Sequence, residues 1–244
     1  MDFKEVCERI RTIKVQGANN VALFGLKGFS SFASKVRAAN REEFFKALEA
    51  AKKELFATRP TEPMMRNMVR YSISRAKESK SDKVADMKRE IKDTAKIVEE
   101  KFKSDQMKID SNVTRLIVDK KDIFTHCHSS TVIEALKSAY GIKKFSVYNT
   151  ETRPLFQGRK TADELSKAGI PVLHTIDSGA AQSLSKCNAM FIGADAITAD
   201  GSVINKIGSS MFAQIAASKN VPVYVCTHSW KYDPDTVFAP ETIE

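Results

Sequence analysis

The stretch Asp122–Ser130, DIFTHCHSS, joins a short apolar run to a cluster of polar side chains and then to a helix start. Its apolar residues do not alternate with polar ones, which is typical of a strand covered on both faces. Similar runs recur through the second half of the chain, separated by segments with helical spacing. They are Val113–Val118, Phe145–Tyr148, Pro171–Ile176, Ala189–Ile192 and Val221–Cys226. Together they predict an α/β domain with a Rossmann-like, doubly wound parallel sheet.

The first half of the chain has the period of helices instead. Apolar side chains recur three or four residues apart in Phe3–Ile13 and in Phe44–Leu55, and a third helix is predicted from Thr61 to about Ser79. The clearest pattern is an apolar line from Val84 to Phe102 within a strongly charged segment. We therefore predict a helical domain over residues 1–108 and an α/β domain over residues 109–244, with the substrate bound between them.

Composition excludes several classes of protein. The 244 residues are 42% hydrophobic and 28% charged, so the chain can bury a sizeable core, and no apolar run is long enough to span a membrane. The four cysteines are scattered without a C-x-x-C pair, so neither a disulfide framework nor a zinc site is indicated. The polar N-terminus lacks the apolar core of a signal peptide. We expect a cytoplasmic protein that does not bind a membrane.

Positive charge is concentrated in the predicted helical domain. Residues 1–110 carry 25 Lys and Arg against 17 Asp and Glu, whereas residues 111–244 carry 14 against 13. A basic region of this kind is most often a solvated helix face. Because no RNA-recognition signature, zinc finger or Gly/Arg-rich tail accompanies it, nucleic acid is not indicated as a partner.

Polar groups follow the predicted strands at the ends where a parallel sheet binds its ligands. Cys127 would lie near the N-terminus of a helix that begins at Ser129 or Ser130, with His126 and His128 beside it. The helix dipole and a nearby imidazolium would both lower the thiol pKa. The alternative is a small buried structural cysteine. In strand geometry the two histidines face away from the cysteine, which disfavours a shared metal ion.

Asp195 follows the predicted strand Ala189–Ile192, after two small residues. It is either a general base or the cap of a following helix. Residue types that hold phosphate stand at the other strand ends, namely Ser129, Ser130, Arg153, Arg159, Lys206 and Lys231. Their grouping predicts a site for an anionic small molecule.

These residues resemble the sugar-1-phosphate isomerases that share a fold with the regulatory subunits of translation initiation factor 2B. The archaeal ribose-1,5-bisphosphate isomerases are the most similar branch, because they carry both the thiol of an H-C-H-S run and the aspartate of G-A-D. The matching stretches run in family order along nearly the whole chain: Ile13–Ala18, Arg59–Thr61, Asn67–Arg70, His126–Ser129, Thr150–Pro154 with Gln157–Gly158, Gly193–Ile197, Gly201–Gly208 and Lys231–Pro234.

The resemblance implies an aldose-ketose isomerase that converts ribose 1,5-bisphosphate to ribulose 1,5-bisphosphate, with Cys127 and Asp195 as the acid and base. It implies no metal and no organic cofactor. It also implies a homodimer through the α/β domain. The late apolar strand Val221–Cys226 needs cover, so we predict that residues 200–240 supply much of the contact. The substrate contacts carried over by motif are Gly17, Ala18, Arg70, Ser129, Arg153, Asn205, Lys206 and Lys231.

The resemblance leaves two other functions open. The first is a non-catalytic subunit similar to initiation factor 2B, which would bind a phosphorylated ligand and a translation factor. Gln16, where the isomerases have Arg, and the chain end at Glu244 favour it, whereas Cys127 and Asp195 favour the enzyme. The second is methylthioribose-1-phosphate isomerase, which would need an apolar pocket in place of a second cationic cluster.

Overall fold

The computed structural model describes residues 2–117, 119 and 121–234. These residues divide into two compact units. The helical unit contains the residues up to Lys103 together with Ser229–Asp233, and the α/β unit runs from Ser104 to His228. The boundary between the units falls within a single long helix.

Five helices begin in the helical unit: α1 (Phe3–Arg11), α2 (Ala18–Lys35), α3 (Arg41–Phe56), α4 (Pro63–Lys77) and α5 (Val84–Ile117). Each presents an apolar face to one core, where Ile10, Leu26 and Leu48 are fully buried. Pro63 opens α4, where its missing N–H costs no helical hydrogen bond. The apolar residues whose spacing predicts these helices are therefore the ones that form the core. Helix α2, which the sequence patterns did not single out, packs its Gly25 and Gly28 closely against side chains of the same core.

Helix α5 is longer than predicted, and the expectation of a strand at Val113–Val118 is wrong. The structure continues the helix to Ile117, and Val118 lies outside the described residues. Val113 and Ile117 are one helical turn apart and both are buried, so this β-branched run extends an apolar helix face. Among residues 2–117, 119 and 121–234, no helix is both long and apolar enough to cross a membrane.

Ser229–Asp233 belongs to the helical unit. It forms a 3₁₀ turn (Ser229–Lys231) and a two-residue strand (Tyr232–Asp233). The Asn67 side-chain amide donates to the carbonyl oxygens of Trp230 (2.8 Å) and Tyr232 (2.7 Å). Arg66 forms a largely buried ion pair with Asp233 (2.6 Å). These contacts join the start of the Asn67–Arg70 stretch to the Lys231–Pro234 stretch despite their distance in sequence.

The α/β unit confirms the predicted fold class. Its strands are β1 (Asp122–Thr125), β2 (Ser146–Thr150), β3 (Val172–Thr175), β4 (Ala189–Ile192), β5 (Ala196–Thr198), β6 (Val203–Ile204) and β7 (Val223–Val225), and its helices are α6 (Ser130–Tyr140), α7 (Gln157–Lys167), α8 (Ala180–Leu184) and α9 (Ser209–Ser218). Five strands form a parallel sheet in the order β3-β2-β1-β4-β7. Strands β5 and β6 form an antiparallel hairpin that the sequence patterns did not predict.

Apolar side chains cover both faces of the parallel sheet. Ile123 and Phe191 pack into one cluster with residues of α6 and α7, whereas Phe124 and Met190 pack into a second cluster with residues of α8 and α9. Successive strand residues point to opposite faces, so strands buried on both sides lack polar alternation. The doubly wound arrangement is thereby confirmed.

Candidate active site

Cys127 lies in a tight turn just beyond the carboxyl end of β1. Its φ of 65° takes the backbone out of strand geometry directly before α6. The Cys127 N–H donates to the Thr152 hydroxyl oxygen (3.0 Å), and its carbonyl oxygen accepts from the Thr161 hydroxyl (2.7 Å). Both backbone groups of this half-buried residue are thus held by side chains.

The two histidines beside Cys127 have separate structural partners. The Nε2–H of His126 donates to the Ile207 carbonyl oxygen (2.8 Å), and its Nδ1 bonds the Thr150 hydroxyl (2.7 Å). His128 donates from Nε2 to the Glu164 carboxylate (3.1 Å). In the part of the chain that the structure describes, no group of three or more His, Cys, Asp or Glu side chains is arranged to hold a metal ion.

The expectation of a lowered thiol pKa at Cys127 is wrong. Burial raises the pKa of this thiol to about 11, against a lowering by the His128 amide and by Lys206. The negative charges of Asp195 and Asp177 add a smaller rise. Burial also lowers the pKa of His126, so this imidazole is neutral rather than a cation beside the sulfur. At neutral pH Cys127 keeps its proton, which suits a proton donor and not a nucleophile.

Asp195 stands at the entrance to the β5–β6 hairpin, with its side chain exposed. Its N–H donates to the Ile204 carbonyl oxygen (2.8 Å). Strand β5 follows it directly, so the alternative in which Asp195 caps a helix is wrong. Its charge acts on the Cys127 thiol, which places the two predicted catalytic groups within electrostatic range of each other.

Asn205 and Lys206 leave the same hairpin at the end where Asp195 enters it, because Ala196 pairs with Ile204. The Asn205 amide donates to the Ser209 hydroxyl (2.9 Å) at the start of α9. Lys206 is half-buried, and its charge acts on the Cys127 thiol. The hairpin therefore brings a carboxylate, an amide and an ammonium group to one side of the unit.

Helix α6 begins at Ser130, one of the two predicted starts, and Ser129 caps it. Its hydroxyl oxygen accepts from the Val132 N–H at 3.4 Å. The first amides of α6 directly follow Cys127 along the chain, and a helix N-terminus favours a bound anion.

Arg153 lies in a turn after β2 and is exposed, with its guanidinium 4.7 Å from the centre of the Phe156 ring. Asp177 holds this turn from the end of β3. Its two carboxylate oxygens accept from the N–H groups of Thr152 (2.9 Å) and Arg153 (2.8 Å). Asp177 follows a predicted strand, but its backbone partners are remote in sequence, so sequence reasoning assigned it no role.

The remaining predicted contacts lie in the helical unit. Gly17 precedes α2 with a φ of 84°, a conformation that favours glycine, and Ala18 is the first residue of that helix. Arg70 is exposed on α4, and its guanidinium lies 5.8 Å from the centre of the Phe56 ring. Lys231 is buried in the 3₁₀ turn. Gln16, just before Gly17, is exposed.

A helical unit followed by a parallel α/β unit, with thiol, carboxylate and cationic groups beyond the sheet's carboxyl edge, defines the class of this protein. The chain belongs to the Initiation factor 2 subunit family, whose profile matches residues 14–244. This confirms the resemblance seen in the sequence.

Named relatives in this family include two kinds of isomerase. The chain is 34% identical over 236 residues to ribose 1,5-bisphosphate isomerase of Thermococcus kodakarensis, an alignment that covers 96% of this chain and 73% of that protein. It is 32% identical over 236 residues to methylthioribose-1-phosphate isomerase of Desulforamulus reducens, covering 92% of this chain and 68% of that protein.

A solved structure shares the fold. The tetrameric eIF2B-beta2-delta2 complex from C. thermophilum contains a chain that matches with a TM-score of 0.84 at 18% identity, covering 96% of this chain and 79% of that one. At this identity the likeness establishes the common fold alone.

Proposed function

We propose that this chain isomerises an aldose 1-phosphate to a ketose 1-phosphate, with ribose 1,5-bisphosphate as substrate and ribulose 1,5-bisphosphate as product. One observation carries the proposal: a thiol held in its protonated form lies within electrostatic range of an exposed carboxylate. A thiol that keeps its proton can act as the acid, and a carboxylate near it can act as the base. The named isomerase relatives support the same reaction class.

The chemistry of the substrate requires both a proton donor and a proton acceptor. A phosphate on the anomeric oxygen prevents simple ring opening, so the bond from C1 to the ring oxygen breaks when that oxygen receives a proton. Cys127 donates this proton, and the ring oxygen becomes a hydroxyl. Hydrogen then moves from C2 to C1, and Asp195 accepts the proton released in that step. A cis-enediol route and a hydride shift lead to the same product, and the proton returns from the carboxylate to the thiolate through water.

A bisphosphate needs positive groups for two phosphates. We assign one set to the α/β unit, where the α6 N-terminus at Ser129, Arg153, Asn205 and Lys206 accompany the catalytic pair. The other predicted contacts, Gly17, Ala18, Arg70 and Lys231, remain the candidates for the second phosphate. Methylthioribose 1-phosphate has one phosphate and an apolar substituent, so it would leave one set without a counterion.

A second candidate function is a non-catalytic subunit that binds a phosphorylated ligand and a translation factor. The feature that favours it is the exposed side chain of Gln16, just before the α2 N-terminus. The resemblance implies that the isomerases usually have an arginine at this position. An amide cannot form the bidentate, charged pair with phosphate that a guanidinium forms. Loss of that pair would weaken binding of one phosphate without affecting the acid and base.

Incubation of the purified chain with the α-anomer of ribose 1,5-bisphosphate tests the proposal directly, with ribulose 1,5-bisphosphate followed by NMR. Methylthioribose 1-phosphate in a parallel reaction distinguishes the two isomerases. Restoration of an arginine by Gln16→Arg should lower the KM for the bisphosphate. Ligand binding by calorimetry without turnover of either substrate would overturn the isomerase and support the non-catalytic subunit.

We also propose a homodimer through the α/β unit. Among the described residues, strand β7 is at the edge of the parallel sheet, and its Val225 side chain is exposed. A groove of about 220 Å³ beside it is lined by residues that include Leu116, Phe191 and Tyr224. An open strand edge with an apolar groove next to it is a surface that a second chain can cover.

A further inference from the structure

The carboxylate of Asp177 organises the turn that presents Arg153. Each of its oxygens accepts one backbone N–H, from Thr152 at 2.9 Å and from Arg153 at 2.8 Å. Burial acts to raise the pKa of Asp177, but these backbone donors outweigh it and hold the pKa below its ordinary value. The side chain therefore stays ionised at neutral pH, so both of its oxygens can accept a hydrogen bond.

The turn needs such support because its backbone is strained. Thr152 is β-branched and has a φ of 62°, in the left-handed region that disfavours such residues. Its side chain is fully buried, and its hydroxyl accepts from the Cys127 N–H. The strained turn thus lies directly against the residue proposed as the acid, while the next residue, Arg153, extends into solvent.

We propose that Asp177 is a positioning residue that fixes the direction in which Arg153 reaches the phosphorylated ligand. It touches neither the ligand nor the reacting atoms, and it acts by holding the backbone of residues 152 and 153. The proposal rests on the proposed function, in which Arg153 binds a phosphate of the substrate. Neither the sequence motifs nor the relatives' names assign this aspartate a role.

The informative substitution is Asp177→Asn, which keeps the size of the side chain. An asparagine has one acceptor oxygen, and its amide group faces the second N–H, so one of the two bonds is replaced by a donor-donor contact. We expect the KM and Kd for ribose 1,5-bisphosphate to rise by about tenfold, the scale of a lost hydrogen bond to a charged group. We expect kcat to change by less than about threefold, because Cys127 and Asp195 keep their side chains and the charge of Asp177 is the smallest of the influences on the Cys127 thiol.

A double-mutant cycle with Arg153→Ala separates positioning from general loss of structure. If Asp177 acts through Arg153, the Asp177→Asn change should raise Kd by less than about twofold once the guanidinium is gone. Asp177→Glu, which keeps the charge but shifts it, should give an intermediate Kd. Additive effects in the cycle would show that Asp177 acts independently of Arg153 and would overturn the proposal.

Asp200→Asn is the matched control. Asp200 also bonds a backbone N–H, that of Ser202 (3.2 Å), and it lies in the turn of the β5–β6 hairpin, at the opposite end from Asp195 and Asn205. We expect this variant to have the Kd and kcat of the wild type. A loss of thermal stability shared by both aspartate variants, without a selective rise in Kd for Asp177→Asn, would also overturn the proposal.

Kinetics and calorimetry distinguish this proposal from the proposed function. If the wild type binds ribose 1,5-bisphosphate without isomerising it, and the Kd cycle still shows coupling, the isomerase is overturned and the positioning role stands. If the wild type isomerises the substrate and Asp177→Asn is indistinguishable from the wild type, the isomerase stands and the positioning role is overturned. A wild type that binds no sugar phosphate overturns both.

Discussion

Gly193 packs directly against Ser129. A β-carbon at position 193 would lie 2.6 Å from the Ser129 hydroxyl oxygen and 2.8 Å from its Cβ. Gly193→Ala must therefore displace the residue that caps α6 and that we assign to phosphate binding. We expect the free energy of unfolding to fall by about 1–3 kcal/mol, from overpacking and the lost cap, and the KM to rise. Denaturant titration and steady-state kinetics measure the two effects.

Two comparisons sharpen this prediction. Ser129→Ala removes the cap without the steric conflict, so it should cost less stability than Gly193→Ala while raising KM to a similar extent. Gly141→Ala lies at the other end of α6, has an ordinary helical backbone and meets only the Ser138 carbonyl oxygen at 3.3 Å. If Gly193→Ala behaves like Gly141→Ala, Ser129 can move away without consequence.

Cys127→Ser and Asp195→Asn should each lower kcat by at least about a hundredfold, the usual scale for a positioned acid or base. Thermal stability should change little, because Cys127 is half-buried and Asp195 is exposed. Cys226→Ser serves as a control, since this buried cysteine should affect stability and not turnover. Near-full activity in either catalytic variant contradicts the assignment.

Alkylation by iodoacetamide should report the raised pKa of Cys127. Only the thiolate reacts, so the rate at this residue should keep rising with pH toward about 11, well above the range of an ordinary cysteine. Asp195→Asn removes a negative charge and should move the midpoint to lower pH, whereas Lys206→Ala removes a positive charge and should move it higher. Peptide mapping distinguishes Cys127 from the three buried cysteines. If the wild type and both variants have the same midpoint, the charges of Asp195 and Lys206 do not act on the Cys127 thiol.

Arg153→Ala should raise the ligand Kd by about tenfold or more, since a charge-assisted hydrogen bond contributes roughly 1.5–3 kcal/mol. Because Arg153 is exposed, its loss should leave the melting temperature unchanged. Lys231→Ala should raise Kd and also lower stability, because this side chain is buried. Lys103→Ala, an exposed charge on α5, should be silent. Equal changes in Kd for all three variants would point to diffuse electrostatics in place of a discrete phosphate site.

The proposed dimer predicts a mass in solution of about twice 27.2 kDa by light scattering at micromolar concentration. Val225→Lys places a charge on the exposed side of β7 and should shift the protein toward the monomer. Lys103→Ala again serves as the unaffected control. A wild type with a mass of about 27 kDa would contradict the dimer. Phe238, part of the segment predicted to supply contacts, lies outside the described residues.

The sheet was predictable because burial on both faces leaves a direct trace in sequence. Runs such as Ala189–Ile192 have no polar positions, and the structure places β4 over the same four residues. Val113–Val118 has the same local composition but continues a helix, because tertiary packing extends the apolar face of α5. Local composition alone cannot distinguish a buried strand from the last turn of a buried helix.

The sequence points to the residue types of the candidate site, whose roles stay predictions, but not to its electrostatics. Sequence proximity suggested that His126 would lower the pKa of Cys127, yet the ring bonds Thr150 and Ile207, and burial controls both titrations. The sequence shows Asp177 as a carboxylate directly after the predicted strand Pro171–Ile176. Its role depends on amides more than twenty residues away that only the turn after β2 brings to it.

The position of Ser229–Asp233 has a consequence for the order in which the chain matures during synthesis. More than half of the chain separates Lys103 from Ser229, and a ribosome makes all of it before Trp230 can pack against the helical core. The helical unit is therefore the first to be synthesised, but it is complete only after Ser229–Asp233 has been made. A nascent chain halted at His228 would already hold all five strands of the parallel sheet, while Asn67 and Arg66 in the older unit still lacked their partners.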